Sequence, residues 1–304
     1  MRILISGASG FIGTAVLHSL IKDNAGHQIL SLSRNPSMGS FRDHQNLKYA
    51  QFDLSNLEKA KKMIDDFQPE VFIHLAWEGI PDFSSEISLK NLMQSINLLS
   101  FVLSMDSCRK VVVSGSCFEY ENKIGECRET DVTEPYDFFT WSKLSLLDFL
   151  RLECNRLNKK YAWLRIFYAY GPRQRKESLI PMLIEKLENR EIPNIRTPLN
   201  SNDYVYVDDV AEAFNICVNN EFKSGIYNLG SGSLTSVLDV SRQVEKLIFN
   251  DSELSDELAS KTKQNKADSA FFASTSKAHK ELNWLAKKSL SEGIHEVLNF
   301  SQKV

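Results

Sequence analysis

Three glycines at three-residue intervals follow a short apolar run at the start of the chain. Residues 2–6 have the composition of a buried strand, and Gly7, Gly10 and Gly13 then open a segment with helical periodicity. In such a unit the glycines permit a tight turn, close approach of a phosphate to the backbone, and close helix packing. The helix N-terminus adds N–H groups and a positive dipole. The pattern predicts a dinucleotide-binding turn. Its expected ligand contacts are Gly7, Ser9, Gly10, Phe11, Ile12 and Gly13.

Short apolar runs alternate with helical patterns throughout the first half of the chain. This alternation is typical of a parallel sheet covered by helices on both faces. We therefore predict an α/β fold built on a doubly wound parallel Rossmann sheet. The strand candidates are 2–6, 27–33, 47–52, 70–75, 110–114 and 161–167, with long helices over 14–22, 89–104 and 141–157.

After residue 170 the pattern becomes irregular. It predicts helices over 179–188 and 237–248, strands over 204–207 and 225–229, and a polar surface loop or loose helix over 250–267. We predict a dinucleotide-binding Rossmann domain over 1–170, to which 203–230 return. Residues 171–304 are expected to form mainly a smaller α+β substrate-binding domain.

Composition excludes several classes of protein. The 36 basic and 39 acidic residues give a net charge of -3, so nucleic acid is not an expected partner. No apolar run approaches the ~20 residues of a membrane span, and a strand pattern rather than a signal peptide follows Met1. The five cysteines form no CxxC and the six histidines no HExxH. We expect a cytoplasmic protein without a membrane anchor or a metal.

The end of the second predicted strand bears on the choice of cofactor. NAD-specific folds place an acidic residue there for the ribose 2′-hydroxyl, whereas this chain has Ser33 and Arg34. A guanidinium suits a 2′-phosphate. We therefore predict NADP(H), with NAD(H) possible. Asp53, after the third strand, is expected to accept a hydrogen bond from the adenine amino group.

Further motifs follow the later strands in a fixed order. They are 74–77 (HLAW), 114–120 (SGSCFEY), 165–172 (RIFYAYGP), 203–210 (DYVYVDDV) and 227–232 (YNLGSG). With the glycine-rich turn, these motifs make nearly the whole chain resemble the extended short-chain dehydrogenase/reductase family, in its nucleotide-sugar epimerase, dehydratase and reductase branch. The resemblance adds further expected cofactor contacts. These are Leu54, Leu75, Ala76, Lys143 and Phe167.

The resemblance also implies a set of reacting groups. In that family a Ser or Thr, a Tyr and a Lys act together, with the last two four residues apart on one helix face. Ser116 and Lys143 match the serine and the lysine, but Phe139 stands where the family has its tyrosine. A phenylalanine cannot transfer a proton, and loss of a positioned general acid costs on the order of 10²- to 10⁴-fold in rate.

Three explanations of Phe139 stay open from the sequence. The phenylalanine is a Tyr-to-Phe change introduced to trap a complex, or the protein natively uses another acid. Candidates for that acid are Tyr136, Tyr120 and a water held by Ser116 and Lys143. The third explanation is a catalytically silent NADP-binding protein.

The residues after Ser116 bear on the reaction. Family dehydratases carry an Asp-Glu pair there, but this chain has Cys117 and Phe118. Arg34 also argues against the tightly held NAD of the 4-epimerases. The resemblance thus implies NADPH-dependent reduction, at C4, of a nucleoside-diphosphate 4-keto-6-deoxy-sugar. The alternatives are an NAD(P)-dependent nucleotide-sugar epimerase or dehydrogenase and the silent protein. Expected substrate contacts are Ser116, Cys117, Tyr168, Arg173 and Tyr206.

The two longest predicted helices indicate an assembly. Both are rich in leucine and phenylalanine, and in the family such helices pair across a four-helix interface. We expect a homodimer.

Overall fold

The computed structural model describes residues 1–23, 25–34, 41, 44–52, 56–120, 123–263 and 266–301. Asp53 and Leu54, two of the expected cofactor contacts, lie outside the described residues. In the described ranges, no helix combines the length and apolarity needed to cross a membrane.

The secondary structure alternates between strands and helices in the first half of the chain. The strands are β1 Arg2–Ser6, β2 Gln28–Ser33, β3 Leu47–Gln51, β4 Val71–His74, β5 Lys110–Ser116, β6 Ile124–Cys127, β7 Lys160–Ile166, β8 Tyr168–Tyr170, β9 Ser201–Asn202, β10 Tyr204–Tyr206, β11 Gly225–Leu229, β12 Thr235–Ser236 and β13 Ala270–Ala273. The helices are α1 Phe11–Lys22, α2 Glu58–Phe67, α3 Ser85–Leu103, α4 Phe138–Arg156, α5 Leu179–Glu188, α6 Val207–Asn219, α7 Val237–Phe249, α8 Glu253–Lys261, α9 Ser276–Leu282 and α10 Leu290–Ser301.

In the described part of the chain, the main sheet holds seven strands in the order β11-β7-β5-β4-β1-β2-β3. Every pairing within it is parallel. The strand order reverses between β1 and β4, and in open α/β sheets ligands bind outside the carboxyl ends of the strands at such a point. The predicted Rossmann fold is confirmed. All six strand candidates are present, with ends shifted by at most two residues.

Two hydrophobic layers hold the helices against this sheet. Side chains alternate along β1, so that Ile3 and Ile5 are buried in the layer containing α1 and α6. Leu4 is buried in the opposite layer, which contains α3 and α4. The sheet is therefore covered on both faces, and its carboxyl edge is left to form a cleft.

The second half of the chain forms a smaller mixed sheet with its own helices. Strands β12, β9, β13 and β6 make this sheet, and β8 pairs with β10. Helices α5, α7 and α10 share a separate apolar cluster. Strand β6 comes from the first half of the chain but pairs with β13. Strand β11 joins the main sheet, whereas the division of the chain at residue 170 stays a prediction.

The polar stretch 250–267 contains a helix that is anchored to the fold. Its helix α8 buries Ser255 and Leu258. The buried Glu245 carboxylate accepts hydrogen bonds from the backbone N–H groups of Leu254 and Ser255, at 2.9 and 2.8 Å.

The strand predicted over 204–207 ends one residue early, because Val207 begins α6.

Candidate active site

The glycine-rich turn lies where β1 ends and α1 begins. Gly7 has a φ of +79°, and a Cβ there would stand 2.6 Å from the backbone nitrogen of Ala76. A Cβ on Gly13 would stand 2.0 Å from the carbonyl oxygen of Gly7. The carbonyl of Gly7 also accepts the N–H of Gly10 at 3.0 Å. A side chain at Gly7 or Gly13 would clash with neighbouring backbone, so the turn has no side chain at these positions.

The N-terminus of α1 is open to an anion. Its N-cap is Gly10, no side chain caps it, and its first turn contains no acidic residue. Uncapped N–H groups and the positive end of the helix dipole suit a pyrophosphate, so these residues fit a dinucleotide. The cleft here brings together the predicted turn, the end of β2 and the end of β4. Its lining residues are Ser6, Gly7, Ser9, Gly10, Leu32, Ser33, Arg34, Phe52, Leu75, Ala76, Trp77 and Glu78.

Two polar contacts fix the wall of this cleft at the end of β2. The Ser33 hydroxyl donates to Ser9 Oγ at 2.9 Å, which ties the strand end to the turn. Arg34 Nη1 lies 2.8 Å from Glu78 Oε2, and the Arg34 side chain is 66% exposed. Arg34 therefore lines the cleft, and it has a carboxylate partner that the sequence did not reveal.

A buried, neutral histidine, His74, links the strand before the glycine-rich turn to helix α3. His74 Nδ1 lies 2.7 Å from Ser6 Oγ, and its Nε2 lies 2.9 Å from Ser95 Oγ on α3. Burial, helped by the charge of Lys143, lowers the pKa of His74 to about 3. The uncharged ring thus links the end of β1 to α3 without adding a charge under the cleft.

Lys143 of α4 reaches the same region and is almost completely buried. Its Nζ donates to the carbonyl oxygen of Ser114 at 3.0 Å and lies 3.9 Å from the centre of the Trp77 ring. Burial lowers the pKa of Lys143 to about 8, against the opposing charge of Glu119. The group can therefore exchange a proton near neutral pH.

Ser116 stands at the carboxyl end of β5. Its N–H donates to Glu119 Oε1 at 2.8 Å, and its Oγ accepts the N–H of Phe118 at 3.2 Å. Because the backbone N–H occupies a lone pair of the hydroxyl oxygen, the hydroxyl proton remains able to point toward a ligand.

A buried ion pair lies behind Ser116. Arg165 Nε donates to Glu119 Oε2 at 2.6 Å, and both side chains are almost fully buried. The Trp163 indole also donates to Glu119, at 3.0 Å. The Tyr120 hydroxyl accepts from Arg165 at 2.6 Å and donates to Asn228 at 2.9 Å. Burial raises the pKa of Tyr120. Tyr120 is thus bound into the core rather than presented to the cleft.

Phe139 lies in an aromatic wall rather than on the protein surface. It is 4% exposed and stacks on Phe83, with ring centres 4.7 Å apart. Trp77 and Phe118 meet it edge-on, at 5.7 and 6.4 Å. Tyr136, by contrast, is exposed in the loop before α4. The position of the family's tyrosine is therefore apolar in this chain.

The remaining expected contacts divide between this wall and the core. The Tyr168 ring lies 5.9 Å from Phe118 and so extends the aromatic wall. Cys117 and Phe167 are buried in a small apolar cluster. Burial raises the pKa of the Cys117 thiol well above its usual value.

Arg173 and Tyr206 lie together in a different cleft. They line it with His18, Asp208 and other residues from α1 and α6. The Tyr206 hydroxyl donates to Glu296, and its ring is almost fully buried. Arg173 is exposed. The structure thus brings these two residues to each other, with neither in the cluster around Ser116.

Sequence reasoning gave no binding role to four residues around the site. Trp77 and Glu78 line the cleft after β4, whereas Phe118 joins the aromatic wall and Glu119 the core after β5. The rule that α/β sheets bind ligands at the carboxyl ends of their strands would have indicated all four. Phe83, in the loop before α3, carried no such signal.

A Rossmann sheet with an uncapped glycine-rich turn, and a serine and a buried lysine near its carboxyl edge, defines a dinucleotide-dependent enzyme. Residues 3–230 match the model of the NAD dependent epimerase/dehydratase family. The chain belongs to this family of NAD(P)-dependent enzymes acting on nucleotide sugars, which confirms the resemblance of its motifs.

Individual relatives in the family are distant. The chain is 26% identical over 255 residues to dTDP-4-dehydro-6-deoxyglucose reductase of Escherichia coli, covering 80% of each protein. It is 24% identical over 325 residues to a probable dTDP-glucose 4,6-dehydratase of Sinorhizobium fredii, covering 99% of this chain and 92% of that protein. The solved UDP-glucuronic acid 4-epimerase of Bacillus cereus, with UDP-glucuronic acid and NAD, shares the fold at a TM-score of 0.84 and 21% identity, covering 100% and 99%.

Proposed function

We propose that the chain reduces the C4 ketone of a nucleoside-diphosphate 4-keto-6-deoxy-sugar with NADPH. One observation carries this proposal. Ser116 and Lys143 are present and supply groups that a carbonyl reduction needs, whereas the two residues after Ser116, Cys117 and Phe118, supply no carboxylate for an elimination. One relative supports the proposal, because the Escherichia coli protein is named as a reductase of a 4-dehydro-6-deoxy-sugar nucleotide.

The proposed reaction adds a hydride to C4 and a proton to the carbonyl oxygen. Bound NADPH supplies the hydride. The Ser116 hydroxyl donates a hydrogen bond to the carbonyl oxygen, where negative charge develops. Lys143 holds the nicotinamide ribose and supplies the proton, directly or through a water molecule, and then regains a proton from solvent. Its lowered pKa suits this role in place of the missing tyrosine.

The environment of the residues after Ser116 argues against dehydration. Cys117 is buried with a raised pKa, and Phe118 belongs to the aromatic wall. Glu119 does carry a carboxylate, but Arg165 and Trp163 hold it in the core. An elimination needs an acid and a base beside the sugar ring, and these three side chains are unsuited to that task.

The aromatic wall supports a deoxygenated sugar as the substrate. Trp77, Phe83 and Phe118 are partly exposed rings packed around the buried Phe139, and ring surfaces cannot satisfy a hydroxyl group. A methyl group at C6 gains from burial against such rings, whereas a 6-hydroxyl would lose its hydrogen bonds to water. Tyr168, at the edge of the wall, would contact the sugar.

The proposal keeps NADP(H) as the preferred cofactor, with NAD(H) able to bind. Arg34 lies in the cleft where NAD-specific folds have an acid. The Rossmann domain over 1–170, with 203–230 returning to it, would hold this cofactor. Residues 171–304 would mainly hold the nucleotide sugar, with Arg173 offering a guanidinium to phosphate.

We further propose a homodimer through α3 and α4. These helices pack on one another, and both leave large apolar side chains exposed. Leu89 and Met93 lie on α3, while Trp141 and Leu152 lie on α4. A cytoplasmic location is compatible with the five cysteines, which are all buried free thiols.

The test measures NADPH consumption with a panel of nucleotide-linked 4-keto-6-deoxy-sugars, for this chain and for Phe139→Tyr. Stoichiometric oxidation by both proteins supports a reductase that uses another proton donor. Oxidation by Phe139→Tyr alone supports the same reaction with Phe139 as a disabling residue. If both proteins bind NADPH but neither oxidises it, the proposed reaction is wrong, and a silent binding protein becomes the better interpretation.

A further inference from the structure

An ion pair spans the proposed cofactor cleft. Arg34 follows β2 and Glu78 follows β4, and β1 lies between these two strands in the sheet. The contact from Arg34 Nη1 to Glu78 Oε2, 2.8 Å long, therefore crosses the carboxyl end of β1, where the glycine-rich turn begins. Both residues line the same cleft as Gly7 and Gly10.

Glu78 is the anchored member of this pair. Asn91 of α3 makes two hydrogen bonds to the Glu78 backbone. Its Oδ1 accepts from the Glu78 N–H at 2.9 Å, and its Nδ2 donates to the Glu78 carbonyl at 3.0 Å. Asn91 is itself buried and is fixed by a hydrogen bond to Ile87. Lys90 also pairs with the Glu78 carboxylate. The Glu78 side chain is 22% exposed, against 66% for Arg34. Arg34 is thus the member that is free to move.

The two possible cofactors place different demands on Arg34. NADP(H) carries a 2′-phosphate with close to two negative charges, whereas NAD(H) carries a neutral hydroxyl at the same atom. The contact with Glu78 uses Nη1 alone, so a guanidinium drawn to the phosphate either shares its charge with the Glu78 carboxylate or gives that contact up, and in both cases the carboxylate competes with the phosphate. With NAD(H), nothing draws Arg34 away from Glu78.

We propose that Glu78 determines the cofactor selectivity of this protein, by competing with the 2′-phosphate of NADP(H) for Arg34. The inference rests on the proposed cofactor site but not on the proposed sugar substrate. Glu78 weakens NADP(H) binding and leaves NAD(H) binding almost unchanged. On this inference, a chain with an arginine at the end of β2 discriminates less strongly between the two dinucleotides than it would without Glu78.

The test compares dissociation constants of NADP⁺ and NAD⁺ for the full chain and for Glu78→Gln, measured by calorimetric titration. Glutamine keeps the size of the side chain and removes its charge. We expect NADP⁺ to bind on the order of fivefold more tightly, as for a partly exposed ion pair, with NAD⁺ changed less than about twofold. Glu86→Gln is the matched control, because it removes one exposed carboxylate from the first turn of α3. It should leave both constants as they are.

A second pair of variants tests the competition itself. In an Arg34→Met background NADP⁺ should bind more weakly, and adding Glu78→Gln should no longer favour NADP⁺. An equal change for both dinucleotides in Glu78→Gln, or no change in either, would overturn the inference. So would a gain for NADP⁺ that persists without Arg34, because it would reveal simple repulsion. If the NADP⁺ gain occurs as expected but no 4-keto-sugar is reduced, the inference stands and the proposed reaction fails.

Discussion

The ammonium group of Lys143 lies against the face of the Trp77 ring, 3.9 Å from its centre. A cation at this distance from an indole is stabilised by the ring quadrupole, most strongly when water is excluded. The ring and the Ser114 carbonyl thus replace part of the hydration that Lys143 loses on burial. The charged and neutral forms of Lys143 are equally populated near its pKa of about 8.

This balance predicts a basic limb in the pH dependence of NADPH binding. The pKa of Lys143 is lowered from 10.5 to about 8, so the cation is present below that pH and is lost above it. If the cation holds the nicotinamide ribose, affinity should be constant at low pH and fall as pH rises through about 8. Titrations with NADPH across this range give the midpoint.

Trp77→Leu sharpens this test. Removing the ring face should destabilise the cation and shift the limb to lower pH. Trp141→Leu, at an exposed position on α4, should leave the midpoint in place. A limb near the ordinary lysine pKa, or one that Trp77→Leu does not move, would contradict the assignment to Lys143.

Placing a tyrosine at position 139 should increase turnover. A phenol there would supply a general acid beside Lys143, an effect on the order of 10²- to 10⁴-fold in kcat. The measurement is steady-state NADPH oxidation with a 4-keto-6-deoxy-sugar substrate. Phe138→Tyr provides the control, because Phe138 precedes it in the same helix but is 55% exposed. Equal gains from both changes would argue against a specific proton donor at position 139.

The buried Glu119–Arg165 pair should be important for stability. Glu119→Gln leaves the Arg165 charge in the core without its counter-charge, which should lower the free energy of unfolding by about 3–5 kcal/mol. Urea denaturation measures the loss. Arg151→Met breaks the exposed pair with Asp148 and should cost at most about 1 kcal/mol.

A double variant separates charge burial from packing in this region. Replacing both partners, as Glu119→Gln with Arg165→Met, removes the uncompensated charge and should cost less than the sum of the single changes. Additive losses would mean that the two side chains contribute independently.

Charge on the exposed face of α3 and α4 should prevent dimerisation. Leu89→Glu combined with Leu152→Glu places carboxylates where the proposed interface needs apolar contact. Light scattering at micromolar concentration should show a dimer for the unaltered chain and a monomer for this variant. Leu285→Glu, at an exposed leucine outside these helices, should remain dimeric. A monomeric unaltered chain would refute the proposal.

The sequence predicted the central sheet well, because buried parallel strands are continuous apolar runs that stand out locally. Helix ends were harder to place. Helix α4 begins at Phe138, three residues before its expected start, since Asp137 and Thr140 form a capping box. That signal is visible in the sequence as an Asp three residues before a Thr.

Local pattern drew attention to the glycine-rich turn and to Arg34 after β2, but it could not reveal their partners. Glu78 lies 44 positions from Arg34, and Arg165 lies 46 positions from Glu119. Contacts of this kind depend on strand order and register, which no local pattern records. The aromatic surroundings of Phe139 were hidden for the same reason, because Phe83 and Phe118 belong to loops that follow other strands.

The exchange of strands between the two halves of the chain has a consequence during protein synthesis. Strand β7 is complete once residue 166 has left the ribosome, but its outer edge has no partner until β11 is made. Strand β6 waits longer still, for residues 270–273. The growing chain therefore carries unpaired strand edges through much of translation, and such edges promote association between chains. The mixed sheet and the last strand of the main sheet therefore form only after residues 225–229 and 270–273 have been made.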